Sequence, residues 1–102
     1  MIKMVATICR KPGMSVEDFQ RYWLEVHGPL STGVPGLIRY VQSHPVLHMY
    51  SADSAPAYDG VGELWFGSWA AYEVATESAG WRALQDDSTN FMDRSRTNFI
   101  PD

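Results

Sequence analysis

Two side chains suited to proton transfer, His27 and Tyr40, stand 13 positions apart with Gly28-Pro29 and Pro35-Gly36 between them. Imidazole is the side chain that titrates nearest neutrality, and a phenol can donate a hydrogen bond to a carbonyl or a developing enolate. Together they form an acid and base pair for shuffling protons in a small lactone or polyketide-like molecule. Gly28-Pro29 leaves backbone space beside the imidazole, and Phe19, Trp23 and Tyr40 are of a type to wall a pocket. Each residue also has a plainer reading. His27 can cap the carbonyls of a helix end, where the dipole raises its pKa, and Tyr40 can be an amphipathic core or interface tyrosine. The residues alone leave both readings open.

The remaining polar candidates are weaker. His44 and His48 lie four apart, but Pro45 argues against one shared helical face, and no cysteine stands near to complete a zinc site. No metal site is expected. His44 shares strand parity with Tyr40, which makes it a candidate for the polar lining of a pocket. Glu63 interrupts an apolar strand. It can orient His27 or Arg39, act as a base whose pKa burial raises, or pair with Arg39, Arg94 or Arg96. Trp65 and Phe66 are further wall candidates. Cys9 has no adjacent base and reads as a small buried hydrophobe. Gly60-x-Gly62 lacks a third glycine and precedes a strand, so it is no phosphate loop.

These residues need a frame, and 102 residues supply one domain, spanning 1–102. Four Trp, five Tyr and four Phe are more than one small core easily hides, so some must line a pocket or a subunit interface. Lys and Arg number 8 against 12 Asp and Glu, with no basic run, which argues against a nucleic-acid or anionic-membrane partner. The single cysteine excludes an internal disulfide and fits a reducing, cytoplasmic setting. The apolar start, Met1 to Cys9, is far shorter than the roughly 20 residues of a membrane span and reads as a strand.

Along the chain, Ile2–Arg10 is that first strand, apolar on both faces and therefore central in its sheet. Ser15-x-x-Asp18 opens a helix whose stripe is Phe19, Tyr22, Trp23 and Val26, and Gly28-Pro29 ends it beside His27. Leu30–Val34 continues as a short helical piece. Leu37–His44 is a second strand with Ile38, Tyr40, Gln42 and His44 on one face. Val46–Asp59 reads as a mobile loop, and Val61–Phe66 as a third strand. Ser68 and Ser78 cap two helical pieces reaching about Glu77 and Asp87, with Trp81, Leu84 and Phe91 inward. Arg96–Ile100 is the last strand. The order β-α-β-β-α-β predicts an α+β, ferredoxin-like sandwich with helices on one sheet face. The other face would be left bare and apolar, which predicts a homodimer with sheets packed face to face.

Three motifs carry a family resemblance: Tyr22-Trp23-x-x-x-His27-Gly28-Pro29-Leu30, Pro35-Gly36-Leu37-Ile38-Arg39-Tyr40-Val41-Gln42, and Tyr58-Asp59-Gly60-Val61-Gly62-Glu63-Leu64-Trp65-Phe66. With Phe91-x-Asp93-Arg94-Ser95 they make the chain resemble the EthD family over nearly its whole length. The resemblance implies a dimeric α+β barrel with a pocket between sheet and helices for a small hydrophobic or aromatic-derived compound. In that superfamily such pockets serve methylmuconolactone isomerisation, polyketide cyclisation and cofactor-free oxygenation. The methylmuconolactone methylisomerases resemble this chain in placing a histidine and a tyrosine at the positions of His27 and Tyr40. Three roles are thereby implied: a cofactor-independent isomerase or cyclase, a non-catalytic accessory protein of an oxidative degradation pathway, or a cofactor-free monooxygenase. None of them calls for a cofactor.

Overall fold

The computed structural model describes residues 1–51 and 55–102. Four strands, β1 (Ile2–Ile8), β2 (Leu37–Ser43), β3 (Gly60–Phe66) and β4 (Asn98–Pro101), form one antiparallel sheet in the order β2-β3-β1-β4. β1 is central, as its two apolar faces require. β4 starts two residues later than the sequence suggests, because Arg94–Arg96 makes a 3-10 turn. At the sheet edge Pro101 lacks only an outward N–H, and Lys3 and Asp102 exchange two backbone hydrogen bonds of 2.8 Å each beyond it.

The first helix, α1 (Val16–Tyr22), is capped by Ser15, whose hydroxyl accepts from the Asp18 N–H at 3.1 Å. A π-helical turn, Trp23–His27, and 3-10 turns over Gly28–Gly33 then carry the chain to β2. The wide turn corrects the expected stripe. In a regular α-helix position i+7 lies under i, and i+8 is rotated from it by about 80°. The extra backbone in the π turn takes up that rotation, so Phe19, Trp23 and His27 are buried in line while Val26 is 45% exposed. β2 departs from simple alternation as well. A bulge between Leu37 and Arg39 leaves Ile38 exposed and turns Leu37 to the core side with Tyr40, reversing the expected parity at the start of the strand.

After β3 come α2 (Trp69–Thr76) and α3 (Ala79–Asp87), capped by Ser68 and Ser78. The helices α1, α2 and α3 pack on the sheet face that carries Met4, Ala6 and Ile8. One core cluster gathers Met4, Val34, Leu64, Phe66, Ala75 and Leu84, and a second gathers Ala6, Ile8, Phe19, Trp23 and Phe91. Close approach of α3 to the 3-10 segment depends on Gly80, where a Cβ would lie 1.9 Å from the Gly33 carbonyl oxygen. That approach brings the C-terminal end of α3 over the end of the π turn. In the expected Val46–Asp59 loop, Leu47–Tyr50 forms a 3-10 turn and residues 52–54 lie outside the described residues. Among the described residues no helix is long and apolar enough to cross a membrane.

Candidate active site

His27 is 5% exposed, and its Nδ1 lies 2.8 Å from Oδ2 of Asp87 at the end of α3. Oδ1 of the same carboxylate accepts from the Tyr22 hydroxyl at 2.5 Å and from the Asn90 amide at 3.0 Å. Burial pushes the Asp87 carboxyl up, but the hydrogen bonds from Tyr22, His27 and Asn90 together outweigh it and hold it below its ordinary range. The carboxylate is therefore ionised and accepts only, which places the imidazole proton on Nδ1. Burial lowers the pKa of His27, and Asp87 recovers part of the loss without reversing it. Contrary to the raised value expected at a helix end, His27 is neutral near pH 7. Its Nε2 lone pair has no hydrogen-bond donor among the described residues. Phe91 packs against the ring at a centroid distance of 4.7 Å and fixes its plane.

Tyr40 stands on the sheet side of the same cavity. Its oxygen accepts from Nε2 of Gln42 at 2.8 Å, and the same amide nitrogen donates to the Trp23 carbonyl at 2.8 Å. Burial raises the phenol pKa, with the Gln42 amide and the Trp23 indole pulling the other way. His44 sits outside the cavity, its ring 4.6 Å from that of Trp23 and its Nε2 2.8 Å from Oε1 of Gln42.

The cavity is about 50 Å³, with Trp23, His27, Tyr40, Leu64, Trp81 and Phe99 among its walls. That is room for water-sized groups. Phe99, on edge strand β4 and 52% exposed, forms its rim. A larger, open cleft of about 530 Å³ lies at the far end of β1, around Arg10, Tyr50 and Asp59. There Asp59 binds Arg10 Nη1 at 2.6 Å and the Tyr50 hydroxyl at 2.9 Å, burial and Asp59 pushing that phenol up to about 12. It is an ion-pair clamp that ties Tyr50 and Asp59, on either side of the loop, to Arg10 just after β1.

The structure thus brings His27, Tyr40 and Trp23 together around one cavity. Phe19 is fully buried behind Trp23, ring centroids 5.8 Å apart, and Phe66 is buried in the other core cluster against Tyr72; neither reaches the cavity. Glu63 and Trp65 point to the opposite sheet face, because the strand places them out of phase with Gly62, Leu64 and Phe66. Glu63 pairs with Lys3 at 3.5 Å, not with Arg39, Arg94 or Arg96, and Arg39 lies over the Trp65 ring at 5.0 Å. Sequence reasoning missed Asp87 and Gln42. Asp87 carries one legible signal: with Asp86 it puts negative charge at the negative end of α3, where a helix by itself disfavours it. Among the described residues no group of His, Cys, Asp and Glu is arranged to hold a metal ion.

The EthD domain family matches residues 11–95 of the chain. The 4-carboxymethyl-4-methylbutenolide mutase of Pseudomonas reinekei is 34% identical over 83 residues, covering 76% of this chain and 76% of the mutase. A dehydratase of Ustilaginoidea virens is 31% identical over 71 residues, covering 67% of this chain, which spans 47% of the dehydratase. Of solved structures, an EthD family protein of Bacillus halodurans matches with a TM-score of 0.80 at 18% identity, over 100% of this chain and 96% of its own. A dimeric ferredoxin-like protein of Thermobifida fusca matches at 0.72 and 13%, over 99% and 88%. At these identities the two structures speak for the fold.

Proposed function

The chain belongs to the EthD family, and on that premise we propose that it is a cofactor-independent enzyme acting on small carbonyl compounds, an isomerase of unsaturated lactones first among them. The observation that carries this reading is the Asp87–His27 pair, 2.8 Å apart, on the wall of the cavity that Tyr40 also lines. Asp87 holds the Nδ1–H tautomer, leaving Nε2 as the base. Nε2 removes a proton from the side-chain methylene, the C–H electrons form a double bond to the ring carbon that bears the lactone oxygen, and that oxygen leaves as a carboxylate to which the Tyr40 hydroxyl donates a hydrogen bond. The side-chain carboxylate then closes on the remaining double bond while Nε2 returns the proton to the carbon next to the former ring carbonyl, which completes an isomerisation with no net gain or loss of electrons. A mutase and a dehydratase among the relatives support an enzyme over a non-catalytic accessory protein.

Two further parts belong to the same reading. The cavity widens around its ligand by movement of Phe99, the half-exposed wall. The protein works as a homodimer packed through the open sheet face, as the dimeric relation of the fold supports. The decisive experiment incubates the protein with 4-carboxymethyl-4-methylbutenolide in deuterated water and follows isomerisation and solvent exchange by NMR. His27→Ala should slow both by about 10²–10⁴-fold. Undiminished rates in a folded His27→Ala variant would overturn the proposal.

A further inference from the structure

Gln42 is the meeting point of three hydrogen bonds, and its geometry admits one orientation. The Trp23 carbonyl can only accept, so the amide nitrogen of Gln42 must face it, at 2.8 Å. The second amide hydrogen then points at the Tyr40 oxygen, also at 2.8 Å. On the other side, Oε1 accepts from His44 Nε2 at 2.8 Å. His44 can donate from Nε2 in its neutral and its charged form alike, so the lock holds across the titration of that ring. The Trp23 carbonyl is also the one that accepts the Gly28 N–H and so closes the π turn. Gln42 therefore ties Tyr40 to the backbone turn that presents His27. Gly28 leaves the room for this, since a Cβ there would lie 2.8 Å from the Gln42 nitrogen.

We propose that Gln42, held by His44, is the positioning residue that occupies Tyr40 as an acceptor from behind and so leaves the Tyr40 hydroxyl hydrogen for a ligand in the cavity. The inference rests on the reading of Tyr40 as the donor to substrate. No acceptor for that hydrogen exists among the described residues. A carboxylate at position 42 would accept the Tyr40 hydrogen and turn the phenol away. An apolar residue would leave its orientation to the Trp23 indole alone.

The test labels the tyrosines with 3-fluorotyrosine and reads the Tyr40 phenol by ¹⁹F NMR, with Tyr40→Phe assigning the signal. Loss of the Gln42 donor destabilises the phenolate, so the Tyr40 midpoint should rise by about one pH unit in Gln42→Leu and further in Gln42→Glu. Tyr72, on the far core cluster, should not move. On 4-carboxymethyl-4-methylbutenolide, Gln42→Leu should lose about 10–100-fold in kcat with KM held within about threefold. If Gln42→Leu and Gln42→Glu fail to fold, Gln42→Met, close to glutamine in length and volume, removes the donor with less disturbance and should raise the Tyr40 midpoint likewise. An unshifted Tyr40 midpoint in a folded Gln42 variant would overturn the proposal. A shifted midpoint in a protein that does not turn over the lactone would uphold the positioning role and sink the lactone reading alone.

Discussion

A buried imidazole whose partner is an ionised carboxylate can end up as a held cation or as a neutral base, and the balance of burial against pairing decides. Here burial is the larger effect at His27 and Asp87 the smaller, so the ring stays neutral below its ordinary value of about 6.5. A base must be unprotonated to act, so the rate should be full above that value and fall only as the pH drops through the depressed His27 pKa. Asp87→Asn removes the effect that raises His27, and its acid limb should move to still lower pH. The same substitution no longer enforces the Nδ1–H tautomer and should lower kcat by about 10²–10⁴-fold. A pH–rate profile of the two proteins checks both expectations. An acid limb that moved upward in Asp87→Asn would contradict this account of the dyad.

At the scale of elements, the site is made where a π turn, a bulged strand and a helix end meet. The π turn brings His27 into line with Phe19 and Trp23, and the bulge at Ile38 keeps both Leu37 and Tyr40 on the helix side of the sheet. Asp87 reaches His27 because α3 packs tightly on the 3-10 segment at Gly80. In Gly80→Ala the new Cβ meets backbone, which cannot swing aside as a side chain would. That variant should lose about 1–3 kcal/mol or more in urea unfolding. Gly28→Ala meets the side-chain amide of Gln42 first, which can shift at the cost of its hydrogen bonds where backbone cannot, and should cost less. An equal loss in the two variants would argue against backbone contact as the cause at Gly80.

Over the whole molecule, one sheet face carries the core and the other is left to Lys3, Val5, Val41, Glu63 and Trp65. Lys3 and Arg39 lie over the Trp65 ring at 5.3 Å and 5.0 Å, covering part of its apolar surface. A homodimer through this face should dissociate in Trp65→Asp, read as a halved mass by sedimentation with an unchanged circular dichroism spectrum. A variant that remained dimeric would place the interface elsewhere. Much of this architecture is legible in the sequence. The strand and helix order, the central β1 and the caps at Ser15, Ser68 and Ser78 rest on local periodicity and turn chemistry, which neighbours in sequence dictate, whereas the pairing of His27 with Tyr40 is an expectation carried by the family resemblance. Tertiary structure alone decided the rest. Asp87 lies 60 residues from His27, and nothing local announces which carboxylate a buried imidazole will meet. The π turn and the bulge each add one residue to a regular repeat, so they reverse inside and outside at Val26, Leu37 and Ile38 while leaving the hydrophobic pattern looking regular. The protonation of His27 followed from depth of burial, a property of the assembled fold that no spacing encodes.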